Sequence, residues 1–149
     1  KGKKTGLVQV LVGEAGLSSA IQKDPETGLD FIGAGSRPPN PAELLESDAF
    51  ADLLSVLSEQ YDLIIVDAPP ILAVTDAAII GQKTDISLIL VRHLVTTKAQ
   101  LQAALKGLEL AGITPAGVII NQYDMKKSRY GEYGGYHYGA YNYNYASED

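Results

Sequence analysis

The chain has 149 residues, a length that fits one globular domain, since roughly two-thirds of the unfolded surface is buried on folding at that size. Twelve Lys and Arg against eighteen Asp and Glu leave a net charge of −6, and an acidic body excludes nucleic acid as the main partner because a polyanion is repelled. Cysteine is absent, which excludes disulfide frameworks, thiol catalysis and Cys-ligated zinc and is compatible with a reducing compartment. The longest apolar runs, such as LIIV and SLILV, fall far short of the about 20 residues a membrane span needs. The opening KGKKTG is basic but has no apolar core and no small-residue cleavage site, so it is not a signal peptide, and the missing initiator Met suggests a fragment.

In chain order, the first readable element is LDFI (29–32), a short apolar run ending in the breaker cluster GAGS, which predicts a strand leading into a loop. Arg37-Pro-Pro-Asn-Pro41 cannot be helical through its prolines, whereas Pro41 suits a first helical turn. From Ala42 to Leu57 apolar residues recur at helical spacing, predicting one amphipathic helix. Asp62 to Asp67 (DLIIVD) is a continuous apolar run closed by a carboxylate, expected as a strand buried on both faces of a parallel sheet. Thr75-Asp76 makes an N-cap before the short helix AAII, Ile86 to Val91 a further buried strand, and Thr97 to Leu110 a second amphipathic helix ending at Gly112. Val118 to Ile120 with Asn121 gives a last strand. The expectation is an α/β domain, a layered, mostly parallel sheet in the order β-α-β-α-β-α-β.

Beyond Asn121 the material changes. Seven of the nine tyrosines lie between Tyr130 and Tyr145, in YGEYGGYHYGAYNYNY. Residues 1–123 therefore read as the folded body and 124–149 as a disordered tyrosine-rich tail.

Candidate chemistry sits at the carboxyl ends of the strands, where such sheets bind ligands. Asp67 follows four apolar residues, the pattern by which nucleotide-hydrolysing folds hold Mg²⁺ directly or through water; a strand-end Asp is equally a helix cap or turn former. Asn121 can pair with a purine edge or make an Asx turn, and Asp76 reads as a cap. A phosphate-gripping G-x-x-x-x-G-K-[ST] loop is absent, and Gly2-Lys3-Lys4-Thr5 and Gly81-Gln82-Lys83-Thr84 only faintly resemble one. His93 and His137 have no partnered ligand spacing, and Ser18 and Ser19 lie in no nucleophile motif.

Taken together, GLVQVLVGE, RPPNPAELLES, YDLIIVDAPPILAVTDAAII, LILVR, GVIIN and the tyrosine-rich C-terminus resemble the cytoplasmic kinase domain of the bacterial tyrosine kinases of capsular and exopolysaccharide assembly. The resemblance runs from about Gly6 to the tail. It implies the P-loop fold of the partition and septum-site ATPases, incomplete at the N-terminus, with the Walker A and Walker A′ motifs lying ahead of Lys1. It places Asp67 at the Walker B position, as catalytic and Mg²⁺-organising carboxylate, and Asn121 beside the adenine of ATP. The implied phosphoacceptors are Tyr130, Tyr133, Tyr136, Tyr138, Tyr141, Tyr143 and Tyr145, modified in trans by a neighbour in a homo-oligomeric ring, an octamer, with Arg37 and Glu43 near the subunit contacts. Implied partners are a transmembrane co-polymerase or activator segment, fused or separate, and a tyrosine phosphatase, at the cytoplasmic face of the inner membrane. The alternative is a non-catalytic regulatory or interaction module, or a phosphoacceptor, related to partition-type ATPases.

Overall fold

The computed structural model describes residues 5–124. The tyrosine cluster, His137 and all of the expected tail except Asp124 lie outside the described residues.

The first helix, α1 (Leu7–Leu11), forms in a run whose valines alone would suit a strand, because a glycine loop clamps its start. The Leu7 and Val8 N–H groups donate to the carbonyls of Gly33 (2.8 Å) and Ala34 (3.1 Å), and the Gly6 N–H donates to Oε1 of the buried Gln9 at 3.1 Å. The Gln9 amide reaches the Ser36 hydroxyl. A side chain at Gly6 would run into the Gly33 carbonyl and the Gly35 backbone, so the GAGS cluster is the seat of α1 as well as a breaker.

After α2 (Leu17–Ala20), strand β1 (Ile21–Lys23) pairs antiparallel with β2 (Asp30–Ile32), Ile21 opposite Ile32 and Lys23 opposite Asp30. The strand expected at 29–32 is thus present. It belongs to a separate hairpin, however, and not to the parallel sheet. The turn is held by Asp24, which accepts from the Thr27 N–H at 3.1 Å and from the Thr27 hydroxyl, a local bonding that a pattern of strand-helix alternation does not register.

The single helix expected over 42–57 is two, α3 (Pro41–Glu46) and α4 (Asp48–Ser58). Ser47 separates them with an extended ψ of 157°, its hydroxyl turned back to the Leu44 carbonyl at 2.7 Å. A hydroxyl that bonds to nearby backbone competes with helix continuation, and a fresh helix then starts at acidic Asp48, favourable beside the positive end of the dipole. Phe50, Leu53 and Leu57 of α4 share one face and make the core with Ile80 of α5 (Asp76–Gly81). The cap expected at Thr75-Asp76 is there by position only: Thr75 makes no side-chain cap bond, and Asp76 is the first helical residue.

Residues 62–67 depart most from expectation. They form no strand: Ile64 and Val66 pack on the α4 core, but the segment joins no sheet and is not buried on both faces. Leu63 and Ile65 are 76% and 83% exposed. The physical reason is pairing: no described strand lies against either edge, so only the face on α4 is covered.

The parallel sheet consists of β3 (Leu88–Arg92) and β4 (Gly117–Asn121), in register from Leu88 opposite Gly117 to Arg92 opposite Asn121. The crossover is α6 (Lys98–Leu110), which buries Ala104 and Leu108. Thr97 caps it reciprocally: its Oγ1 accepts from the Gln100 N–H (3.2 Å) while Gln100 Oε1 accepts from the Thr97 N–H (2.9 Å). At the far end Gly112 has φ +76°, its N–H bonds to the Glu109 carbonyl and that of Ile113 to the Leu108 carbonyl, the paired closure that favours glycine after a helix.

Candidate nucleotide site at the strand ends

The carboxyl ends of β3 and β4 meet at Arg92 and Asn121, the last pair of the register. Pairing continues one step further, with the His93 N–H donating to the Asn121 carbonyl at 3.0 Å. The chain then turns sharply on both strands: Leu94 has φ 59° and Gln122 φ 52°, left-handed conformations unusual for residues other than glycine. Two contacts hold these turns. The Tyr123 ring lies 4.4 Å from the His93 ring, tilted by 43°, and the Asp124 N–H donates to His93 Nδ1 at 3.1 Å. His93 thus braces the two strand ends through its ring face and its Nδ1.

Asn121 is exposed on this braced ledge, and its Oδ1 accepts from the Gln122 N–H at 2.8 Å. The bond pins the side chain locally, one residue short of the bond that defines an Asx turn, while the amide nitrogen has no partner among the described residues.

Asp67 closes the apolar run 62–67 and is exposed. It makes no hydrogen bond among the described residues, so it caps no described helix and closes no described turn. Pro69 and Pro70 follow one residue later and stiffen the chain leaving it. A single helix, α5, connects this segment to β3. Among the described residues no three of His, Asp and Glu converge on a point. A lone carboxylate nevertheless suits Mg²⁺, which keeps several waters and is held by one or two carboxylates plus phosphate oxygens.

Arg37 and Glu43 lie apart from these residues, on a cleft of about 370 Å³ between α1 and the proline run, whose walls include Val8, Val12, Pro38 and Leu44. Glu43 accepts from the Asn40 side chain at 3.0 Å across the first turn of α3, a local tie. Another hollow, of about 320 Å³, lies at the amino ends of β3 and β4, around Ser87 and Ile113, and so on the wrong side for strand-end chemistry. The brace formed by His93 and Tyr123 escaped sequence reasoning, since nothing in the spacing of two residues thirty apart signals that their strands end side by side.

No family model matches the chain. It is 38% identical over 133 residues to the tyrosine-protein kinase Wzc of Salmonella typhi, covering 89% of this chain and 18% of that protein. Over 116 residues it is 40% identical to the tyrosine-protein kinase Etk of Escherichia coli K12, covering 78% and 16%. The kinase domain of E. coli Etk superposes with a TM-score of 0.80 at 37% identity, over 93% of this chain and 52% of that one. The VpsO kinase domain does so with a TM-score of 0.77 at 31% identity, over 83% and 61%. The homologues of this chain are bacterial tyrosine kinases. It has their kinase-domain fold, of the P-loop α/β type with a parallel sheet, and spans less than a fifth of these two kinases' full lengths.

Proposed function

We propose that this chain is part of an ATP-dependent protein-tyrosine autokinase that governs capsular or exopolysaccharide assembly. The observation carrying this is an exposed Asp67 carboxylate closing the apolar run 62–67 and an Asn121 side chain pinned at the carboxyl end of the parallel pair, in a chain whose homologues are tyrosine kinases. Phosphoryl transfer demands positioning and charge neutralisation more than covalent chemistry by the protein. Asp67 supplies a fixed negative charge that holds Mg²⁺, directly or through water, beside the phosphates; the ion, when bound, neutralises charge developing on the transferred group. Asn121 would offer its NH₂ to the purine when nucleotide is bound, with the braced turn holding its Oδ1 in place.

Tyr130, Tyr133, Tyr136, Tyr138, Tyr141, Tyr143 and Tyr145 are the proposed acceptors, phosphorylated in trans within a homo-oligomeric ring, an octamer, at the cytoplasmic face of the inner membrane. A transmembrane co-polymerase segment and a tyrosine phosphatase complete the proposed set of partners, and the exposed Arg37 and Glu43 face the ring contacts. One observation favours a narrower role for the chain by itself. It contains no G-K-[ST] phosphate loop, which suits an interaction or phosphoacceptor module until such a loop is supplied.

The deciding experiment is Asp67→Asn in the complete kinase that contains this chain. Autophosphorylation should fall roughly 10- to 100-fold, the loss typical when a group that orients a metal is removed, with the circular dichroism spectrum unchanged. Phosphate incorporation at the unaltered rate would remove Asp67 from the mechanism.

A further inference from the structure

The two sides of the strand-end junction are held by different means. On the β3 side the turn after Arg92 closes on itself, since the Thr96 N–H donates to the Arg92 carbonyl at 2.9 Å and the Arg92 N–H donates to Thr96 Oγ1 at 2.9 Å. His93 therefore sits on a fixed support. On the β4 side Gln122 turns the chain at φ 52°, a conformation an L side chain adopts at a cost, and Tyr123 and Asp124 beyond it belong to no helix or strand. His93 ties them back to the body, by its ring contact with Tyr123 and by accepting the Asp124 N–H at Nδ1.

The second of these contacts is sensitive to a proton. A backbone N–H is a permanent donor, so it meets Nδ1 only while that nitrogen offers a lone pair; a protonated ring presents N–H at both nitrogens, and two donors 3.1 Å apart repel. Imidazole is the side chain whose charge ordinarily changes between about pH 5 and 8. The titratable groups on the residues it touches across the junction are the Tyr123 phenol and the Asp124 carboxylate, and Arg92 precedes it on its own strand. A carboxylate favours an imidazolium and a guanidinium opposes one, but neither returns the lone pair that the Asp124 N–H would lose.

We infer that His93 is a proton-operated latch on the exit of the chain from the fold: with Nδ1 bare it holds Tyr123 and Asp124 against the end of β3, and protonation at Nδ1 releases them while β3, β4 and α6 stay as they are. Tyr130, the first of the clustered tyrosines, comes six residues after Asp124 in sequence. The latch thus decides whether the chain leading to them departs from Asp124 or from the end of β4 at Asn121. It stands apart from phosphoryl transfer, so its failure and that of the kinase reading are separable.

Proton–nitrogen NMR of the full chain, from about pH 8 down to about 5.5, tests this. The Asp124 amide should shift with the same midpoint as the His93 imidazole, and its hydrogen exchange, corrected for the intrinsic effect of pH, should lose on the order of tenfold protection or more below that midpoint, with the amides of α6 unchanged. His93→Asn places a carboxamide oxygen near the position of Nδ1, an acceptor that does not titrate, and should keep Asp124 protected over the whole range. His93→Phe keeps a ring for Tyr123 but no acceptor, and should leave Asp124 unprotected at every pH. Equal protection of Asp124 at both ends of the range in the unaltered chain would overturn the inference. A loss of the same size in His93→Asn would do so too, since a carboxylate would then be the responsible group, as would a transition that disappears in His137→Asn.

Discussion

Tyr61 shows how much one side chain organises here. It ends the loop after α4 and begins the run to Asp67, and its hydroxyl donates to Asp30 of β2 at 2.9 Å, tying the hairpin to the core. That hydrogen bond, with the carboxylate's negative charge beside it, raises the phenol above its ordinary value of 10.0. A group whose pKa is raised by folding stabilises the fold while it is protonated. The contribution is therefore complete below the unfolded value and is lost as pH rises past the folded one. Tyr61→Phe should lower the melting temperature at pH 7, and the gap between variant and parent should close in strongly alkaline buffer. A gap that persisted there would mean the phenol acts through packing. Gly112 is another residue whose identity the backbone favours, by φ +76°. Gly112→Ala should destabilise by about 1 kcal/mol in urea titration, because an L side chain is strained in that region.

Among the elements, α6 was the most legible from sequence, and its energetics can be tested one bond at a time. Thr97→Ala removes the side-chain acceptor for the Gln100 N–H and should cost about 1 kcal/mol in the same titration, with Thr97→Ser restoring most of it. The helix could be read because its signals are local: a capping residue, a 3.6-residue period and a closing glycine. The break at Ser47 could not, since Leu44, Leu45, Phe50 and Leu53 keep helical spacing across it and only the hydroxyl's choice of the Leu44 carbonyl reveals it. Strand LDFI was recognised, but its partner Ile21–Lys23 lacks alternation, so the hairpin was hidden. At DLIIVD the apolar run described what the segment demands, and the structure supplies a partner for one face alone. Of the proposed site, Asp67 and Asn121 stand out in the sequence because each is a polar residue closing an apolar run. The His93–Tyr123 brace depends on tertiary proximity and left no sequence trace.

For the whole molecule, charge and completeness decide behaviour. The chain by itself, lacking a phosphate loop, should show no micromolar heat of binding with Mg-ATP in calorimetry, and a clear isotherm would refute the assignment of nucleotide affinity to that loop. Presented to an intact homologous kinase with ATP, it should act as acceptor, with mass spectrometry finding phosphate on several of the seven clustered tyrosines and little on Tyr61, whose hydroxyl is engaged with Asp30. Each phosphate adds about −1.5 to −2 charges, so four of them add roughly −6 to −8 to a chain already at −6. Assemblies of such chains should loosen in proportion, and added salt should blunt the effect because exposed charges are screened beyond about 10 Å at 0.1 M. Sedimentation at two ionic strengths reads this directly; a sedimentation coefficient indifferent to phosphate would rule out loosening by charge.

The unit β3–α6–β4 also fixes an order of events in time. Among the described residues it is where a parallel pair, its crossover and both helix caps lie within one stretch of chain, 88–121. Its paired strands stand 29 residues apart, much as Tyr61 does from Asp30, but here a capped 13-residue helix shortens the span and a five-residue ladder rewards the closure. This unit should therefore be the nucleus on which the remainder condenses. Mutations in α6 should slow folding, while mutations in the hairpin should chiefly speed unfolding.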